Sequence, residues 1–222
     1  MFDRLIKLVS CCFVLLIIVT SCNKDKQNAI HIEGKVFDPN TQAYVSGASV
    51  TIAASKLSSG GIYSSGYEDI ATTVTDADGI FIFDFQEDKF SGYQIRISKD
   101  NYFNFFKELN TSEIEPGITF SPLYNLYPVA YIDLKIRNVV PYDSNDFVSY
   151  GFSSGWLGGY DCCDNNFFQG HGLYFADTLF CKTQGNQFVT VTYNVTKQGT
   201  TLLHTKVLYC NAFDTTHFDI DY

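Results

Sequence analysis

The chain has 222 residues, of which 45% are hydrophobic, 16% aromatic and 18% charged, and its formal net charge is −9 at pH 7. This length fits one or two domains, and many aromatic residues among few charged ones exclude a disordered chain. The negative charge argues against nucleic acid as a partner, because no excess of basic residues is available to neutralise phosphates.

The N-terminal residues 1–21 have the features of an export signal. Two basic residues precede an apolar run from Leu8 to Val19, and small residues precede Cys22. The run is too short to span a bilayer, which needs about 20 apolar residues. Residues 18–22, Ile-Val-Thr-Ser-Cys, resemble the lipobox of bacterial lipoproteins. That resemblance implies cleavage before Cys22 and acylation of this cysteine, whereas an ordinary cleaved signal or an anchor helix are the alternatives.

Residues 22–29 are largely polar and predict a flexible tether. Cleavage after residue 21 leaves 13 basic and 23 acidic residues, a net charge of −10. A body this acidic does not bind anionic lipid headgroups, so the lipid on Cys22 is expected to supply the whole contact with the membrane. We therefore expect a lipid-anchored protein of the outer membrane in the cell envelope, on either its periplasmic or its surface face.

Short strands with one apolar face dominate the rest of the chain. Half-buried strands alternate apolar and polar residues with period two, and no stretch of 12 or more residues has helical periodicity. The fold class is therefore predicted to be all-β, with two β-sandwich domains. The clearest alternating segments are residues 30–36, 50–52, 95–97, 132–136, 189–195 and 218–222.

The first half has a more specific order of strands and turns, carried by the segments Ile32–Asp38, Val45–Ile52, Thr73–Phe83 and Tyr93–Ser98. Over about residues 30–110 this order resembles the carboxypeptidase regulatory-like domain. The resemblance implies a prealbumin-like sandwich of about seven strands in residues 30–128, and it implies no reaction, since such domains accompany others as scaffolds or surface modules. A Ser/Gly-rich insertion, Ala53–Ala71, lengthens one connection.

One turn of this domain carries two carboxylates, Asp76 and Asp78, followed by Gly79. The pair suits side-chain capping of the turn, and the alternative is the start of a calcium loop with Glu87 at its twelfth position. The strand-like run after Gly79 favours capping. Gly47 and Gly79 are predicted to adopt backbone conformations that a Cβ would strain.

Prolines at 116, 122 and 128 interrupt the pattern and predict a domain boundary. Residues 129–222 then form a second small β-sandwich, or else the second half of a single larger one. A domain of this size is marginal without covalent links.

Four cysteines fall in this second half: Cys162, Cys163, Cys181 and Cys210. Export places them in an oxidising compartment, so disulfides are favoured over a metal site, whose paired C-x-x-C spacing they lack. Adjacent cysteines rarely bond to each other, so Cys162 and Cys163 are each expected to reach Cys181 or Cys210, and two pairings stay open. We expect neither metal nor cofactor.

Aromatic residues crowd a Gly-rich stretch of the second half, where Trp156, Tyr160 and Tyr174 are the candidate ligand-binding residues. Exposed rings at these positions would stack on sugars. The alternative is that the rings of this stretch, with Phe168 and Phe175 among them, fill the sandwich core.

Residues 151–155 match G-x-S-x-G, which would make Ser153 a nucleophile if a strand preceded it and a helix followed. The Gly-rich residues that follow are a poor helix start, so we expect no catalytic residue and rank a serine hydrolase last. The sequence favours a non-catalytic envelope lipoprotein that is structural or binds an envelope protein. A glycan-binding accessory lipoprotein is the alternative.

Overall fold

A computed structural model describes residues 28–56, 66–154, 163 and 166–222. This part of the chain consists of strands and loops with one turn of 3₁₀ helix, Thr111–Glu113, so the all-β prediction is confirmed. Within the same residues, no helix has the length and apolarity to cross a membrane. The predicted positions Cys22, Trp156, Tyr160 and Cys162 lie outside the described residues.

Sixteen strands follow one another through the described residues. In chain order they are β1 (Ala29–Asp38), β2 (Ala43–Tyr44), β3 (Ser49–Lys56), β4 (Glu68–Val74), β5 (Ile80–Gln86), β6 (Phe90–Ser98), β7 (Phe105–Leu109), β8 (Thr119–Phe120), β9 (Leu123–Asn125), β10 (Val129–Arg137), β11 (Phe147–Ser154), β12 (Phe167–His171), β13 (Ala176–Gln184), β14 (Gln187–Lys197), β15 (Thr200–Cys210) and β16 (Thr215–Asp221).

These strands form four sheets and two compact units. Two sheets, β2-β1-β5 with β8 and β9 beside β1, and β4-β3-β6-β7, come from the first half of the chain; β13-β10-β16 and β12-β11-β14-β15 come from the second half. The first unit contains the described residues up to Val36, those of Val45–Ile97, and Phe105–Tyr124. The second unit is discontinuous in sequence and contains Phe37–Tyr44, Ser98–Asn104 and Asn125–Tyr222.

The first unit follows the predicted alternation of apolar residues. Ile30, Ile32 and Val36 of β1 are buried, as are Val50 and Ile52 of β3. The insertion predicted over Ala53–Ala71 is shorter than expected, because β3 continues to Lys56 and β4 begins at Glu68. Ala53 and Ala54 are small and apolar, and they are buried in β3, which explains why the strand extends into the predicted loop.

The turn between β4 and β5 confirms the capping prediction for the side chain of Asp76, to which Asp78 donates its backbone N–H. The Asp76 carboxylate accepts hydrogen bonds from the backbone N–H groups of Asp78 at 2.9 Å and Ile80 at 2.8 Å. Gly79 has φ +69° and Gly47 has φ +72°, in the left-handed region that favours glycine. The Asp76 side chain therefore closes the turn that starts β5.

The second unit is a sandwich of a three-stranded and a four-stranded sheet. In the three-stranded sheet β10 pairs antiparallel with β13 and parallel with β16. In the four-stranded sheet β11 and β15 flank β14. Residues from both sheets share one buried core, which includes Ile132, Leu134, Ile136, Val148, Tyr150, Phe152, Val189, Val191 and Ile220.

A disulfide bond links Cys163 to Cys181 of β13, across a sequence separation of 18 residues. Its formation confirms that one of the adjacent cysteines reaches Cys181. Cys210 is buried in the same core and has no disulfide partner among the described residues. Burial raises the pKa of its thiol. Its remaining predicted partner, Cys162, is not described, so the second bridge stays a prediction.

Candidate functional site

Tyr174 is the one predicted ligand-binding residue among the described residues, and 90% of it is exposed to solvent. It lies in the short connection between β12 and β13, two residues after Gly172. Its neighbour Phe175 packs against the core, and the Phe168 ring lies 5.7 Å from that of the buried Tyr150. The predicted aromatic stretch therefore divides into rings that contact the core and exposed rings, of which Tyr174 is the most exposed and Phe167 is another.

Tyr174 belongs to a set of connections that we call the loop end, defined as residues 138–146 and 172–174 with Lys197 and Tyr222. Backbone hydrogen bonds join its parts. Gly172 N–H donates to the Asp146 carbonyl at 2.8 Å, and Asn138 N–H donates to the Phe175 carbonyl at 2.9 Å. Val139 and Val140 N–H both donate to the Tyr222 carbonyl. The segment that carries Tyr174 is thus fixed to its neighbours.

A buried carboxylate, Asp146, organises the loop end. It accepts hydrogen bonds from Tyr142 N–H at 2.7 Å, Asn138 Nδ2 at 2.9 Å and Asp143 N–H at 3.3 Å. The Asn138 side-chain oxygen in turn accepts from Lys197 Nζ at 2.9 Å. Burial alone would raise the pKa of Asp146, but these hydrogen bonds and the positive charge of Lys197 outweigh it and lower the pKa. Asp146 therefore stays ionised at neutral pH.

The side chains that the loop end presents to solvent are mainly apolar. Val139, Val140, Tyr142 and Tyr174 are all exposed. The backbone of both Tyr142 and Val140 is held by hydrogen bonds. Tyr142 N–H donates to the Asp146 carboxylate, and the Val140 carbonyl accepts from Lys197 Nζ. Exposed apolar side chains on a backbone with few degrees of freedom are typical of a binding surface, because little conformational entropy is lost when a partner is bound.

We predict that Asp146→Asn loosens the loop end and lowers the midpoint of urea unfolding at pH 7. Because the folded-state pKa of Asp146 is lowered, its contribution to stability is complete above its ordinary pKa of 3.8 and disappears as the pH falls through the folded-state value. The difference between wild type and variant should therefore shrink on acidification to about pH 2. Asp143→Asn is the matched control, because it removes a charge from the same loop. A difference that does not change with pH would contradict this role.

Ser153 lies in β11, which pairs with β14 through a β-bulge between Phe152 and Ser154. Its hydroxyl is 3.0 Å from the Thr192 hydroxyl of β14 and 3.4 Å from the Thr190 carbonyl. The serine is thus a strand residue bonded to the neighbouring strand, whereas a nucleophile elbow places it on a turn between strand and helix.

No group of three or more His, Cys, Asp or Glu side chains that could hold a metal ion occurs among the residues that the structure describes. In the turn predicted as an alternative calcium loop, the Asp76 carboxylate is used by backbone N–H groups.

Most of the loop end could not be predicted from the sequence. The two side chains that hold its segments together, Asn138 and Asp146, lie in a connection whose sequence has no catalytic or metal-binding pattern. One signal was available, because residues 141–146 read Pro-Tyr-Asp-Ser-Asn-Asp and such residues favour turns closed by side-chain hydrogen bonds. The apolar residues Val139 and Val140 give no signal of exposure, since valine is more often buried.

No protein-family model matches the chain, and no curated protein matches it. Similar solved structures include the Bacillus anthracis TIE protein, with 12% identity over 87% of this chain and 34% of that chain, at a TM-score of 0.36. The shaft pilin SpaA of Lactobacillus rhamnosus GG has 10% identity over 87% and 96% of the two chains, at 0.29. A DUF3823 family protein of Bacteroides uniformis has 12% identity over 82% and 99%, at 0.30. The chain spans about a third of the TIE protein. At these TM-scores no functional property is carried over to the chain.

Proposed function

We propose that the chain is a lipid-anchored module of the cell envelope that binds an envelope protein through the loop end and catalyses no reaction. The observation that carries this proposal is the apolar surface of Val139, Val140, Tyr142 and Tyr174 on a hydrogen-bonded backbone. The anchor rests on the lipobox-like residues 18–22, and the resemblance of the first half to carboxypeptidase regulatory-like domains supports a scaffold role for it.

The loop end suits a protein partner for three reasons. Its exposed groups are aliphatic as well as aromatic, and aliphatic side chains gain most from burial against other apolar side chains. Lys197, the cation that belongs to the loop end, is held by Asn138 and Val140 and lies 5.1 Å from the centre of the Tyr222 ring, so its charge is little available to an ionic ligand. Tyrosine is also among the residues that contribute most to binding at protein interfaces.

The proposal predicts that a photo-reactive amino acid at position 174 cross-links a protein in the membrane fraction of cells that export the chain. Cys22→Ser should abolish labelling by a fatty-acid analogue, move the protein to the soluble fraction and remove the cross-link. The same photo-reactive residue at Thr178, an exposed residue on β13, is the matched control and should not produce that adduct.

Two outcomes separate the two parts of the proposal. Fatty-acid label that persists in Cys22→Ser, or that is missing from the wild type, would refute the anchor. A labelled, membrane-bound protein that gives the same adducts from positions 174 and 178 would refute the loop end as the binding surface.

A second candidate function is that of a glycan-binding accessory lipoprotein. The high exposure of the Tyr174 ring favours it, since an accessible aromatic ring can stack on the apolar face of a sugar. Trp156 and Tyr160, the other rings predicted for this role, lie outside the described residues.

A further inference from the structure

The two sheets of the second unit differ sharply in the residues on their outer faces. Burial and register show which residues point outward: Val148, Tyr150, Val189 and Val191 are in the core, so their strand neighbours face outside. We define the neutral face as the odd-numbered residues of β11, β12 and β15 and the even-numbered residues of β14. None of these positions carries Asp, Glu, Lys or Arg.

The opposite sheet has the ordinary character of a solvated surface. The outward residues of β10, β13 and β16 include Asp133, Lys135, Arg137, Lys182, Asp219 and Asp221. Several of them pair across strands: Arg137 Nε donates to Asp221 at 3.0 Å, and His217 lies 2.9 Å from Asp133. A surface with about 25–35% charged residues is usual for a soluble domain, and this face exceeds that range, because nearly half of its outward positions are charged. The neutral face has no charged residue and so lies far below the same range.

Hydroxyl and amide groups lie among the exposed aliphatic side chains of Leu203 and Val207 at the centre of the neutral face, and rings lie towards its margins. Thr192 of β14 lies opposite Thr205 of β15, and Asn194 lies opposite Leu203. At one end the Phe188 and Tyr209 rings are 5.0 Å apart, and Phe188 is 65% exposed. At the other end Phe147 is 4.8 Å from His171. This surface therefore offers hydrogen-bonding groups that carry no charge, with exposed aromatic rings beside them.

Such a face favours an uncharged occupant. The mature chain has a net charge of −10, yet the face carries no carboxylate to repel an anion and no cation to bind one. Four strands of these lengths present about 600 Å², or about 1,200 Å² between two copies, at the lower end of the range for stable interfaces, so the test below distinguishes a second copy from a glycan. Neutral sugars combine many hydroxyl groups with apolar ring faces, which matches both kinds of group present here.

We propose that the neutral face binds an uncharged polysaccharide along β14 and β15, with hydroxyl and amide groups bonded to sugar hydroxyls and the Phe188 and Tyr209 rings stacked on sugar rings. The proposal deepens the second candidate function and assigns it to a different surface. It depends neither on the lipid anchor nor on Tyr174.

Affinity electrophoresis of the whole mature protein in detergent tests the proposal, with dextran, laminarin, mannan and xyloglucan in separate gels and alginate as the anionic comparison. We expect retardation by at least one of the four neutral polymers. Thr205→Glu, which places a charge on an exposed central position, and Phe188→Ala should each weaken that retardation at least tenfold. Thr178→Glu, on the charged face, is the matched control and should migrate as the wild type does.

Four results of the electrophoresis would overturn the proposal. The wild type could have equal mobility in all four neutral polymers and in a polymer-free gel, or alginate alone could retard it. Alternatively, Thr205→Glu could leave the retardation unchanged, or Tyr174→Ala could be the one variant that removes it. A dimer in sedimentation experiments that Thr205→Glu dissociates would likewise assign the face to a second copy. Failure of the cross-linking at position 174 leaves this test unaffected, so the two proposals fail separately.

Discussion

Replacing Gly185 with alanine should destabilise the second unit by about 3 kcal/mol, at the upper end of what overpacking costs. Gly185 is buried in the connection between β13 and β14, beside Ala212. A Cβ at this position would lie 2.7 Å from Ala212 Cβ and 3.0 Å from Ala212 N, and closer still to Ala212 Cα. Real Cβ atoms essentially never approach other atoms below 3.0 Å, so one backbone must move.

Neither backbone can move without losing hydrogen bonds. Gly185 N–H donates to the Pro128 carbonyl at 2.8 Å, and its own carbonyl accepts from Asn40 Nδ2 at 2.8 Å. On the other side, Ala212 N–H donates to the Asn186 side chain at 2.9 Å. The obstacle is therefore main chain fixed at both contacts, which relaxes much less readily than the end of a flexible side chain.

Urea unfolding followed by far-ultraviolet circular dichroism measures the effect. Gly92→Ala is the matched control, because the nearest atom to a Cβ there is the Leu109 carbonyl oxygen at 3.5 Å, an ordinary contact. We expect that control to lie within about 0.5 kcal/mol of the wild type. Equal midpoints for Gly185→Ala and Gly92→Ala would contradict the tight packing of Gly185 against Ala212.

Removing the disulfide with a Cys163→Ala/Cys181→Ala double substitution should lower the free energy of unfolding of the second unit by about 3 kcal/mol. The bond closes a loop over a sequence separation of 18, and in the chain-entropy model it limits the freedom of the unfolded chain. Such a loss is a large share of the 5–15 kcal/mol typical of a whole domain. Chemical denaturation of both proteins without reductant gives the difference.

Peptide mapping under non-reducing conditions checks the pairing itself. Cys162→Ser is the matched control, since it removes the adjacent thiol and should leave the Cys163 and Cys181 peptides cross-linked. A free Cys181 peptide in that variant would show that Cys162, and not Cys163, forms the bond. The same digests of the wild type test the predicted second bridge between Cys162 and Cys210.

The positions of many strands could be predicted from the sequence, because alternation directly reports which face is buried. The segments 132–136 and 189–195 lie in β10 and β14, and their apolar residues are in the core or, for Tyr193 and Val195, partly buried against it. The partners of each strand could not be predicted in this way. That β16 lies parallel to β10 depends on contacts between residues far apart in sequence, on which local periodicity carries no information.

Of the candidate site, only Tyr174 was predicted from the sequence, because aromatic residues are a recognisable sign of ligand binding. Tyr174 and Phe175 are adjacent aromatic residues, and composition gave no reason to place one in solvent and the other against the core. Their separation depends on the backbone between β12 and β13, which Asn138 and Asp146 fix through Gly172. The neutral face was equally hidden, since its residues alternate with core residues and become one surface only when four strands are placed side by side.

The parallel pairing of β16 with β10 has a consequence for the order of events when the chain folds. His217 and Asp133, which meet across this pair, are 84 residues apart in the chain, so the pair closes a very long loop. Until β16 has been synthesised, the edge of β10 that pairs with it is uncovered. An uncovered strand edge is prone to pair with other chains. Folding of the second unit therefore has to wait for nearly all of its residues, and a factor that shields β10 during that interval would raise the yield of folded protein.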